Sequence, residues 1–90
     1  MAGGEMFYVR DDRTALITPE ALRIRFKQSS FPVEGTAQGE LRIAEDVTMS
    51  FTVASGFVES VTVRSKFVEK RSRMNRVCEL LESMGWVRAR

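Results

Sequence analysis

Histidine is absent from these 90 residues, and cysteine, tryptophan and tyrosine occur once each. Without histidine the commonest general base is missing, and with it the usual catalytic triads and most transition-metal ligand sets. The lone cysteine, Cys78, excludes an intramolecular disulfide and points to a reducing, cytoplasmic setting. No apolar run approaches the roughly 18 residues of a membrane-spanning helix. The opening Met1-Ala2-Gly3-Gly4-Glu5 has neither the basic nor the apolar region of a secretory signal. Gly35 and Gly39 precede no Lys-Ser/Thr pair and open no helix, so no phosphate loop is written here. Two pairs of adjacent acids, Asp11-Asp12 and Glu45-Asp46, fall in turns, whereas paired catalytic carboxylates need a shared cleft. These absences argue against an enzyme and imply neither a metal nor a cofactor.

What is present is ordinary globular material, 43% hydrophobic and 29% charged, sized for one small domain over residues 1–90. The net charge is only +2 but is unevenly spread. Residues 1–63 carry six bases and nine acids, residues 64–90 eight bases and three acids. Such asymmetry hints at an acidic partner or a nucleic acid.

The basic half contains the one long amphipathic pattern. Met74, Val77, Leu81 and Met84 recur at spacings of three and four, with Cys78 and Leu80 beside them, which predicts a helix laying one face on a core. Gly85 provides a left-handed stop, and Trp86 after it is placed to fold back on Leu81. The start is less sharply marked. Ser65 caps a longer helix if Phe67 and Val68 belong to it; the alternation Val61, Val63, Ser65, Phe67 instead favours a strand, with the helix opening near Glu69 or later.

Upstream, short alternating segments predict strands. Met6–Val9 and Thr14–Ile17, joined by Asp11-Asp12-Arg13, read as a hairpin. Thr18-Pro19-Glu20 has the form of a helical first turn. The strict alternation of Leu22, Ile24 and Phe26 with Arg23, Arg25 and Lys27 then reads as a strand with a cationic outer face. Gln28 to Gly39 is a loop, and Leu41-Arg42-Ile43 a short strand. Val47–Val53 and Phe57–Arg64 form the clearest hairpin. A three-residue turn, Ala54-Ser55-Gly56, sets Val53 opposite Phe57 and Met49 opposite Val61, keeping apolar residues on one face. Glu59 then lands opposite Phe51, at the sheet margin or on a bulge. The other face is a hydroxyl-rich surface of Thr48, Ser50, Thr52, Ser60 and Thr62, ending in Arg64.

The predicted fold is therefore α+β: a curved antiparallel sheet of about five to six strands with one C-terminal amphipathic helix packed on it. The candidate partner- or phosphate-binding residues are Arg64, Lys66, Lys70, Arg71, Arg73 and Arg76, extended by Arg88 and Arg90. The expected function is a small non-enzymatic protein-interaction domain: a homodimer formed through a strand edge, or an adaptor or inhibitor docking an acidic partner. The alternative is a sequence-tolerant module binding DNA or RNA through the basic segment 64–76. For that reading only Tyr8 and Trp86 offer themselves as stacking platforms.

Overall fold

Alternating side chains build most of the molecule, and the computed structural model describes residues 4–35, 39–44, 46–66 and 71–89. The described residues form β1 (Gly4–Val9), α1 (Pro19–Gln28), β2 (Glu34–Gly35), β3 (Glu40–Ala44), β4 (Val47–Ala54), β5 (Phe57–Ser65), α2 (Arg71–Ser83) and β6 (Val87–Ala89). The strands make one antiparallel sheet in the order β2-β3-β4-β5-β1-β6. The fold is thus α+β with α2 packed on the sheet, as the patterning predicts. Against that prediction, a second helix joins α2, β2 forms within the loop expected over Gln28 to Gly39, and β6 follows α2.

Both helices cover the same face. Leu22 and Phe26 of α1, with Met74, Val77, Cys78 and Leu81 of α2, are buried in one cluster with Tyr8, Leu41, Ile43, Met49, Val61 and Val63 from the strands. Each such aliphatic or aromatic side chain contributes about 1.5–3 kcal/mol when fully buried.

α1 replaces the cationic strand expected over residues 22–27. The Thr18 side chain accepts the Ala21 N–H, Pro19 opens the helix, and Glu20 pairs with Arg23 one turn later. Leu22 and Phe26, four apart, share the buried stripe, while Ile24 is left exposed. The apparent period of two was three apolar positions of which a helix needs only the outer two.

The expected hairpin between Met6–Val9 and Thr14–Ile17 does not form. β1 pairs with β5 on one side and β6 on the other, and Asp11–Thr14 instead makes a tight turn. There Asp11 Oδ1 accepts the Arg13 N–H and the Asp11 carbonyl accepts the Thr14 N–H. Thr14 Oγ1 donates to the Gly85 carbonyl at 2.6 Å, docking the turn on the end of α2.

The β4/β5 turn is the two-residue one, Ser55-Gly56, with φ of 54° and 85°. Positive φ at both positions matches the twist of flanking strands better than the predicted three-residue loop. Val53 faces Val58, Thr52 faces Ser60, and Glu59 is the extra residue of a bulge. Beyond the bulge Phe51 faces Val61 and Met49 faces Val63, so the apolar pairing is retained two residues out of the predicted register.

Candidate interaction surfaces

The basic segment is partly spent on the fold. Arg64 lies on β5 and pairs with Glu5 of β1 at 2.7 Å. Lys66 follows β5, exposed, with its backbone N–H on the Asp46 carbonyl. Asp46 is buried, and Arg73 Nη1 reaches its carboxylate at 2.6 Å, so this pair fastens the first half of α2 to the β3/β4 connection. Arg76 lies over the Phe31 ring with Cζ 5.1 Å from its centroid. Lys70, Arg90 and the side chain of Arg71 lie outside the described residues, as does Glu69, where the helix was expected to open. Lys66, Arg73 and Arg76 are therefore the described cations around the start of α2, and one of the three is neutralised by Asp46.

Of the two expected aromatic platforms, neither is available. Trp86 is buried, and Tyr8 is fully enclosed. Tyr8 Oη donates to Glu82 at 2.7 Å, and Arg88 Nη2 donates to the same oxygen at 3.0 Å. This ties β1, α2 and β6 together. Burial, reinforced by Cys78 and Glu82, holds the Tyr8 phenol well above its usual range. Burial likewise raises the Cys78 thiol, so it rests as a protonated small hydrophobe rather than a nucleophile.

The face of the sheet opposite both helices is the surface that sequence reasoning located only in part. Directly opposed residues of an antiparallel pair share a face, so the register reads out this surface row by row. One row runs Glu34, Arg42, Thr48, Arg64, Glu5; the next Glu40, Ser50, Thr62, Phe7, Ala89; the third Thr52, Ser60, Val9, Val87. The hydroxyl strip is where the alternation put it, and Thr52 and Ser60 bond across it at 2.7 Å. Its apolar border was missed. Phe7 is 38% exposed, Val87 is 40% exposed and Val9 is half-buried. Met6-Phe7-Tyr8-Val9 is apolar in both parities, so no alternation in it marks which residues face out.

Among the described residues no group of three or more acids and cysteines is placed to hold a metal ion, and no helix is long and apolar enough to cross a membrane. No protein-family model, curated protein or solved structure matches the chain.

Proposed function

We propose that the chain is a non-catalytic protein-interaction domain that pairs with a second copy of itself through the face of the sheet opposite α1 and α2. The observation that carries this reading is the character of that face: a border of Phe7, Val9 and Val87 beside neutral hydroxyls, with charges of both signs along one row. Mixed apolar and hydroxyl surfaces of this kind suit protein contacts, whereas phosphate-binding surfaces are dominated by cations. The area fits a weak dimer. The four strands around the β5–β1 seam, β4, β5, β1 and β6, hold 26 residues. At about 3.3 Å by 4.8 Å each, these cover on the order of 400 Å², below the about 800 Å² per partner of a standard interface. Charge favours a second copy. A two-fold axis along the strands between β5 and β1 lays Arg64 of one copy over Glu5 of the other, twice. The strand edges are weaker templates, because β2 and β6 contribute two and three residues.

The test is the mass in solution of the wild type and of Phe7→Glu. A dimer that the substitution converts to a monomer supports the reading. A wild-type monomer at high protein concentration, or a Phe7→Glu dimer of unchanged affinity, overturns it.

A second reading, phosphate-backbone binding at the start of α2, is favoured by one observation. Stacked on Phe31, Arg76 keeps its N–H edge open to an anion, and Lys66 stands exposed nearby in sequence to Arg64. Polarisation of labelled oligonucleotides at several salt concentrations tests it with Lys66→Glu/Arg76→Glu. Salt-sensitive binding lost in the variant supports phosphate contact, and no binding at low salt removes it.

A further inference from the structure

Where β1 ends at Val9, the chain turns through Asp11–Thr14 and returns to lie against the tip of the β4/β5 hairpin. The Val58 N–H donates to the Ile17 carbonyl at 2.8 Å, fixing that return. The arrangement encloses a cleft of about 300 Å³. Its apolar walls are Leu16, Ala54, Phe57 and Val58, and its charged members are Arg10 and Glu59.

Three features set this cleft apart from the rest of the surface. First, Glu59 is the bulge residue, displaced from the ladder into the lining; bulges re-aim side chains in this way beside binding sites. Second, Arg10 and Glu59 carry opposite charges in one small cleft, yet no ion pair among the described residues joins them. The Arg10 Nη2 donates to the Thr14 carbonyl at 3.2 Å, and its Nε is buried with no acceptor. A buried donor left without a partner is costly, so this guanidinium is held in place by less than its full set of acceptors. Third, Leu16 is 58% exposed beside this pair, an apolar surface held out by the backbone bond next to it.

We infer that the cleft binds an apolar α-amino acid as its zwitterion. The ligand carboxylate accepts from the Arg10 guanidinium, its ammonium donates to Glu59, and its side chain lies on Leu16, Phe57 and Val58. A carboxylate alone would meet Glu59 as a like charge, and an ammonium alone would meet Arg10. Only a ligand carrying both charges satisfies both walls. The volume lies at the lower end of ligand pockets, which suits a ligand of one residue.

The test is an amide-resolved NMR titration of the full chain with L-leucine, N-acetyl-L-leucine and L-leucinamide, repeated with Arg10→Gln and Glu59→Gln. The expected result is saturable movement of the Leu16, Val58 and Glu59 signals with leucine, and binding about tenfold or more weaker for each blocked analogue. Glu59→Gln should weaken leucine by a similar factor and level leucine with N-acetyl-leucine. Glu59 is exposed on a bulge, so this variant keeps the fold even if Arg10→Gln does not. The inference is overturned if leucine moves no signals at millimolar concentration, if the blocked analogues bind as well as leucine, or if Glu59→Gln leaves the affinity unchanged. The titration reads the cleft directly, whether the chain is a monomer or a dimer.

Discussion

The two helices end in the same way with different residues, and the difference separates what a chain advertises from what it tolerates. At the end of α2, Gly85 has φ of 97°, its N–H bonds to the Glu82 carbonyl, and the Trp86 N–H bonds to that of Leu81. At the end of α1, Ser30 has φ of 71°, its N–H bonds to the Lys27 carbonyl, and the Phe31 N–H bonds to that of Phe26. Both are Schellman endings, and in each the residue after the left-handed position is buried. Phe31 and Phe26 meet with ring centroids 5.5 Å apart. Glycine is demanded only at α2. A Cβ on Gly85 would sit 3.0 Å from the Arg13 carbonyl oxygen and 3.1 Å from Thr14 Cα, where the Asp11–Thr14 turn closes over the helix end. Ser30 is exposed and has room for its side chain, so there the strain of a left-handed L-residue is accepted.

The largest way to break this parallel is to remove the apolar contact that follows the α1 stop. Phe31→Ala should cost about 3 kcal/mol, read as a lower urea midpoint, because the ring is buried between Phe26 and the Arg76 guanidinium. A cost below about 1 kcal/mol would mean that Leu22 and Phe26 hold α1 on the sheet without the contact that follows its stop. Gly85→Ala should cost about 2 kcal/mol from the left-handed backbone and the crowding against Arg13. If it proves neutral, the close approach is not a real constraint.

Tyr8→Phe touches only the α2 side and should cost about 1 kcal/mol at neutral pH, since Glu82 keeps Arg88 and partial hydration. It also has a pH signature. The folded state holds the phenol protonated above its unfolded value of about 10. Its contribution is complete below that pH and declines as pH rises beyond it, because the unfolded chain releases the proton first. Thermal melts between pH 9 and 11 should therefore fall for the wild type and flatten for Tyr8→Phe. The smallest effect should be a gain. Ser30→Gly relieves the left-handed strain and should raise stability by about 0.5–1 kcal/mol, offset in part by backbone entropy; a loss would show that Ser30 contributes more than its φ.

The same contrast explains how much was legible. The α2 stripe, Gly85 and Trp86 announce a helix and its stop because each residue has one comfortable role there. The β4 and β5 strands are equally plain, since only one parity of each is apolar over most of their length. α1 was misread because Leu22, Ile24 and Phe26 satisfy two periods at once, and the helical cap at Thr18 outweighed the alternation that followed it. β6 has three residues and no pattern to show, and it exists because β1 offers Phe7, Tyr8 and Val9 an unpaired edge. Of the basic candidates, the sequence placed Arg73 and Arg76 correctly on α2. It had no means of showing that a buried Asp46 and the Phe31 ring would claim them.

The central place of β1 has a consequence for how the molecule comes into being. Even its nearest ladder partners in sequence, Val9 and Ser60, are 51 positions apart. A ribosome therefore delivers Phe7, Tyr8 and Val9 long before β5 exists to receive them, and β6 later still. The segment must wait without hydrogen-bond partners and with its apolar side chains uncovered, while α1 and the β3–β4–β5 meander are free to form locally. Loop closure over such a span delays the last step of folding. During that interval a newborn strand edge from one chain is open to its counterpart on another.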